Sequence, residues 1–215
     1  MIFDKNLSKG LFISFEGGEG SGKSTQINLI SKSLKNDNFP HLLTREPGGT
    51  PAGEEIRKIL VSGNVEKLDS YSELLCFTAS RRQHLKEIIV PALKKGKIVI
   101  CDRFIDSTLV YQGLVGGVDQ RTIIDLHNKF CFDLYPDLTI LLDVDPNLGL
   151  KRKRFSYLSE DRFENLSLSF HNDVRNEYLK LSNLHKDRFV KVDAGLDKMK
   201  IFKLIKDKIF HFFNN

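Results

Sequence analysis

The chain lacks any run approaching the roughly 18–20 uninterrupted apolar residues that a membrane-spanning helix needs, so a helical span is excluded. Its first ten residues, Asp4, Lys5 and Lys9 among them, lack the apolar core of a secretory signal, and a cytoplasmic protein is expected. Cysteine is scarce. Cys76, Cys101 and Cys131 are odd in number and stand in neither Cys-x-x-Cys nor His-adjacent spacing, which argues against a disulfide framework and against a zinc site. Three reduced, partly buried thiols are expected instead. Also missing are repeats, low-complexity tracts and any Pro/Gly/Ser-rich linker, so residues 1–215 read as one domain, long enough to bury a substantial core.

Acidic charge falls short, but only in one part of the chain. Residues 1–150 carry a net −1 and residues 151–215 a net +6, four charges of which come from Lys151, Arg152, Lys153 and Arg154. A basic excess can serve nucleic acid, anionic lipid or phosphate ligands, so its location matters more than its overall size of +5.

Short apolar runs recur between helix-length segments: Leu11 to Phe15, His41 to Thr44, Lys97 to Cys101, Leu138 to Val144 and Arg188 to Val192. Each is strand-sized, and enough chain separates consecutive runs for a crossover helix. The fold class expected is therefore α/β, a parallel sheet with helices on both faces. Helices are expected from Lys23 to Leu34, Ala52 to Leu60, Ser70 into a turn at Pro91 to Lys95, Asp119 to Phe130, Asn147 to Arg154, Leu166 to Leu184 and Lys198 to Phe213. The last has an apolar face opposite lysines, and packing on the sheet explains it better than a membrane surface does.

Directly after the first run, Gly17, Gly18, Glu19, Gly20, Ser21, Gly22, Lys23, Ser24 and Thr25 fit the GxxxxGK[ST] phosphate-binding loop. Glycines let backbone N–H groups curl around a phosphate chain, Lys23 reaches the β- and γ-phosphates, and Ser24 offers a hydroxyl to Mg²⁺. Two companion motifs are absent. No Asn-Lys-x-Asp segment is present to read guanine, and no strand ends in the Asp-Glu pair that polarises a hydrolytic water. A kinase of small molecules fits that combination better than a GTPase or a motor.

Further candidates fall near the carboxyl ends of the strands, where ligands bind in open α/β sheets. Arg45 stands beside Gly48 and Gly49 and suits a second phosphate, although a plain turn would look the same. Asp102 is placed to hold Mg²⁺ through water and Arg103 to grip phosphoryl groups; a structural ion pair is the alternative. Phe77 and Arg81 share a helix face, either as a base pocket of aromatic plate and guanidinium or as ordinary core Phe and surface Arg. Thr108, Tyr111 and Gln112 fall on about one turn of the segment after Arg103.

Taken in order, Phe15 to Thr25, Thr44-Arg-Glu-Pro-Gly-Gly-Thr50, Phe77-x-x-x-Arg81, Asp102-Arg-Phe-x-x-Ser107-x-x-x-Tyr111-Gln112 and Pro136-Asp-Leu-Thr-x-x-Leu-Asp143 resemble the thymidylate kinase family over roughly residues 11 to 193. The resemblance implies transfer of the γ-phosphoryl of MgATP to dTMP, on a five-stranded parallel sheet of the P-loop nucleotide kinase type with an embedded lid, usually as a homodimer. It places Phe77 on thymine, Arg81 at its O4, Thr108 and Gln112 beside the base and Tyr111 under the sugar. Glu19 falls near the 3′-hydroxyl, and Arg45 and Arg103 fall at the acceptor. In one class of the family an arginine directly follows the acidic residue of the loop; here that position is Gly20. In the other class a lid supplies the arginine, and residues 150 to 165 occupy its place, with Arg152, Arg154 and Arg162 as candidates and Arg154 favoured. The basic excess then serves ATP phosphates and the outer face of the last helix, with neither nucleic acid nor membrane as a partner. A kinase for another nucleoside monophosphate, or a non-catalytic nucleotide-binding regulator, stays open as an alternative.

Overall fold

In a computed structural model of the chain, residues 10–63, 67–154 and 166–213 are described, except for the side chains of Arg154 and Phe213. Five strands, β1 (Leu11–Glu16), β2 (His41–Arg45), β3 (Ile98–Asp102), β4 (Leu138–Asp143) and β5 (Phe189–Asp193), form one parallel sheet in the order β2-β3-β1-β4-β5. The central strand β1 is buried along its whole length, as a parallel strand covered on both faces must be. Alternate side chains of β1 feed two cores. Leu11, Ile13 and Phe15 meet Ile27, Ile30 and Leu34 of α1 (Lys23–Asn36) and Ile201, Ile205 and Ile209 of the last helix (Lys198–Phe213). Phe12 points the other way, toward Leu74, Leu85, Ile123 and Val174. At about 1.5–3 kcal/mol per large apolar side chain, this two-sided burial is the main term holding the sheet in place.

The second face is covered by α3 (Ser70–His84), α6 (Gln120–Phe130) and α8 (Leu168–Leu184), with α2 (Pro51–Val61) against α3. The expected strands and helices are present with ends shifted by a residue or two, but two stretches differ in kind. Instead of ending in a turn, α3 continues through a π-helical stretch, Leu85–Ile89, into α4 (Val90–Lys94). Pro91 has no N–H for a regular i to i−4 bond, and a wider turn just before it absorbs the mismatch. After Arg103 the chain forms α5 (Ile105–Thr108) and a π-helical segment, Leu109–Val115. Its sequence, mixing β-branched residues with Gly113 and buried on several sides, carries no clean helical period.

Cys101 and Cys131 are fully buried and Cys76 partly so, all three as free thiols. Among the described residues no helix is long and apolar enough to cross a membrane. Strand register sets up the site: Phe15 and Arg45 both lie level with Asp102, so the loops after β1, β2 and β3 open on one edge of the sheet.

Candidate active site

The glycine-rich loop runs from the end of β1 to the start of α1, as its motif requires. Lys23 folds back over it, its Nζ donating to the carbonyls of Gly17 (2.9 Å) and Gly18 (3.1 Å). Burial, then the nearby Arg103 charge, pushes the Lys23 ammonium down to about 8. The Ser21 hydroxyl is buried with no hydrogen-bond partner among the described residues, an orphan that a phosphate oxygen would satisfy. Ser24 Oγ donates to Asp102 Oδ2 at 3.1 Å, so a hydroxyl and a carboxylate, both hard oxygen donors, meet beside the loop. That donor set suits Mg²⁺, which prefers one or two carboxylates and completes its shell with water and phosphate oxygens.

Gly20 has φ +64°, and a Cβ built there would lie 1.9 Å from the carbonyl oxygen of Gly149. Conversely, a Cβ on Gly149 would lie 2.3 Å from the Glu19 carbonyl oxygen. The loop and α7 (Pro146–Arg154) therefore touch backbone to backbone. An arginine at position 20 has no room here.

Arg103 follows β3 in the left-handed region, φ 67°, a costly backbone for a residue with a Cβ. Its guanidinium bridges several groups: Nη2 donates to Glu19 Oε1 at 2.8 Å, Nη1 to Ser107 Oγ at 3.2 Å and to the Tyr178 hydroxyl at 3.3 Å. It also lies over the Tyr111 ring. Ser107 and Tyr178 in turn donate to Glu16 Oε2, at 2.6 and 2.9 Å. Burial, then repulsion from Asp106, pushes the Glu16 carboxyl up to about 7. For Glu19 burial acts in the same direction, but Arg103, then Lys23 and Lys153, hold its carboxyl below the usual range. Glu19 is thus an anion at neutral pH inside a ring of cations.

Beyond Arg103 opens a cleft with polar and aromatic side chains on its wall. Glu19, Phe77, Arg81, Arg103, Thr108, Tyr111 and Gln112 all line it. Phe77 belongs to neither apolar core, leaving its half-buried ring on the cleft wall. Arg81 is held at both ends of its fork: Nε donates to Glu46 Oε2 at 2.7 Å and Nη2 to Thr108 Oγ1 at 2.9 Å. Burial would raise Glu46, but Arg81, then His84, hold its carboxyl low. Gln112 Nε2 donates to Glu73 Oε2 at 2.9 Å.

Two expected residues, Arg45 and Arg152, stand elsewhere. Arg45 lies at the exposed rim, paired with Glu54 at 3.0 Å, and is not on the cleft wall. Arg57 lines the cleft instead, anchored by Nη1 to the Pro47 carbonyl at 2.6 Å. Arg152 turns away from the loop, Nη1 donating to the Ala194 carbonyl at 2.8 Å beyond β5. The Arg154 backbone ends α7, while its side chain and Arg162, with the rest of 155–165, lie outside the described residues. Lys153 lines the cleft, its Nζ 3.8 Å from Glu19 Oε2. Besides Arg57 and Lys153, sequence reasoning passed over Glu73, although Glu73, Phe77 and Arg81 are spaced i, i+4, i+8 on one helix face, a usable signal.

Comparison with known proteins points one way. A family model described as thymidylate kinase matches residues 15–205. The chain is 46% identical over 205 residues to a thymidylate kinase of Afipia carboxidovorans, covering 94% of this chain and 90% of that one. To a thymidylate kinase of Magnetococcus marinus it is 47% identical over 186 residues, covering 86% and 89%. Among solved structures, a crystal structure of thymidylate kinase from Ehrlichia chaffeensis matches with TM-score 0.74 at 35% identity, covering 93% of this chain and 98% of that one.

Proposed function

The chain belongs to the thymidylate kinase family, and on that premise we propose that this cleft transfers the γ-phosphoryl of MgATP to dTMP, giving dTDP and ADP in dTTP biosynthesis. One observation supports the assignment of the residues: Glu19 of the phosphate-binding loop and the Phe77, Arg81, Gln112 wall line one cleft, and Arg103, which also lines it, is hydrogen-bonded to Glu19. In this reading ATP lies along the loop with its phosphates at Lys23, while the thymine of dTMP lies on Phe77. Arg81 donates to O4, Thr108 and Gln112 flank the base, Tyr111 packs under the sugar, and Glu19 reaches the 3′-hydroxyl. Arg57 on the wall and Arg45 at the rim supply positive charge for the acceptor phosphate. Ser24 and Asp102 are the residues that would hold Mg²⁺, which supplies positive charge to the β- and γ-phosphate oxygens when bound with ATP.

The acceptor needs no strong general base, since the second pKa of a phosphate monoester is about 6 and its oxygens are ionised near neutrality. One of those oxygens forms a bond to the γ-phosphorus as the bond to the β,γ-bridging oxygen breaks, and that oxygen leaves on ADP. Charge spreads over the moving phosphoryl group, and fixed cations stabilise it: Lys23, Arg103 and a lid arginine. Because Gly20 has no space for a side chain, the lid is the source of that arginine in this reading, with Arg154 favoured over Arg152 and Arg162. The chain then works as one domain, residues 1–215, with a lid at about 150–165. Tyr71 and Leu75, four apart on α3 and 56% and 59% exposed, support a homodimer contact on that helix. Neither nucleic acid nor membrane has a part in this reading, and the enzyme works in the cytosol.

Two substitutions test the assigned roles. Arg154→Ala should lower kcat by at least about tenfold with little change in the dTMP KM, because a lid arginine acts mainly on the transition state. Arg81→Lys should raise the dTMP KM by about tenfold and leave kcat within a few-fold, since lysine keeps a charge for buried Glu46 but loses the planar fork. Steady-state kinetics in both substrates separates the two. Small, equal effects of both substitutions would remove these assignments.

A further inference from the structure

Gln112 lines the cleft and meets Glu73, a residue outside that lining; both are buried, and the Gln112 amide nitrogen donates to a Glu73 carboxylate oxygen at 2.9 Å. A side-chain amide has a donor end and an acceptor end, and either can face a neutral partner. A carboxylate removes that choice, because it only accepts. We infer that Glu73 is a positioning residue for base selection: it turns the Gln112 amide so that the carbonyl oxygen, not the NH₂ group, is presented to the base. This rests on the placement of dTMP proposed above.

The consequence is a polarity code on the wall. Arg81, fixed by Glu46 and Thr108, presents donors, and beside it Gln112 presents an acceptor. A donor next to an acceptor complements the carbonyl at position 4 and the N–H at position 3 of thymine or uracil. Cytosine carries the opposite pair on those atoms, an amino donor and a bare ring nitrogen, and meets like against like at both. A site whose buried polar groups would be left unpaired rejects the wrong ligand strongly. With Glu73 replaced by a residue that can also donate, the amide is able to flip and half the code is lost. Glu73 lies one helical turn before Phe77, so one face of α3 carries the plate, the donor and the device that orients the acceptor.

The test is Glu73→Gln, assayed with dTMP and with dCMP at saturating MgATP, alongside the parent enzyme and a thermal melt. The expected result is a dTMP KM raised about tenfold, a ratio of dTMP to dCMP kcat/KM lowered about tenfold or more, and kcat for dTMP within about twofold of the parent. E73M, which removes the carboxylate without adding a polar group, makes the same comparison should E73Q not fold. In the background of Q112L the substitution at Glu73 should have no further effect on the ratio, because the group it orients is gone. A purely structural role predicts lower stability or lower kcat with the dTMP to dCMP ratio unchanged in every variant, and that result overturns the inference. Loss of the placement itself is distinguishable, because the parent enzyme would then show no preference for dTMP over dCMP before any substitution is made.

Discussion

Lys23→Met should reduce kcat by on the order of 10³ while leaving the fold intact. The Lys23 Nζ donates to the loop carbonyls of Gly17 and Gly18, and in the function proposed above it faces the charge that accumulates on the β- and γ-phosphates as the bond between them breaks. Methionine keeps the unbranched stem and removes the charge. Stability should not suffer. Burial and Arg103 already disfavour the charged ammonium, whose folded pKa of about 8 lies below the ordinary 10.5. Relief of that buried charge offsets the loss of the two hydrogen bonds to Gly17 and Gly18, so the Tm should stay close to the parent's. Single-turnover transfer from labelled ATP measures the first effect and a thermal melt the second. A variant with kcat within tenfold of the parent would remove Lys23 from the chemistry.

Arg103→Ala should cost a similar amount, about 10³ in kcat, by a different route. In the proposed function one guanidinium both neutralises transferred charge and organises its neighbours, and the second role is visible in its bonds to Glu19, Ser107 and Tyr178. Its removal leaves Glu19 buried without its main partner, and burial then acts to raise that carboxyl. Arg103→Lys should recover less than a tenth of the loss, because a single ammonium cannot donate to three partners in the fork's directions. Comparable kcat for the lysine variant and the parent would show that charge alone matters and that the network through Ser107, Tyr178 and Glu16 does not.

These two residues also mark how far the sequence could be read. Lys23 was legible because its motif is contiguous: strand, glycines, lysine and helix follow one another, and local geometry alone places the side chain. Phe77 and Arg81 were legible as a pair because one helix face carries both. The inner strands β1, β3 and β4 were legible because a parallel strand buried on both faces has no polar alternation to confuse it. What escaped depends on pairing between distant segments. Glu16 is the last residue of an apolar strand, and nothing near it announces that Ser107 and Tyr178 will bind it. Arg45 is the basic residue beside two glycines, but the ion pair with Glu54 keeps it at the rim, and Arg57, eight residues after Gly49, is anchored on the wall by the Pro47 carbonyl. Arg152 reads as a lid cation within a run of four basic residues, yet the loop after β5 takes its guanidinium. Beyond the single turn that carries Thr108, Tyr111 and Gln112, the helical extent after Arg103 was not legible, because a segment buried on several sides shows no amphipathic period.

Glycine at position 20 separates a local reading from a tertiary one. As a sequence letter it marks only the absence of an arginine. In the fold it is the point at which the glycine-rich loop meets Gly149 of α7, and a side chain of any kind would push the two apart. In the function proposed above, the same contact ties the start of the lid to the loop that would hold the phosphates.

The central claim is that one cleft joins an ATP phosphate site to a thymine site, and the most direct measurement follows the γ-phosphoryl group itself. With γ-labelled ATP and Mg²⁺, the protein should label dTMP to dTDP at a kcat/KM well above that for dCMP, AMP or GMP, with no dependence on added DNA or RNA. Preferential labelling of a purine monophosphate, or transfer to dTMP that requires nucleic acid, would contradict it.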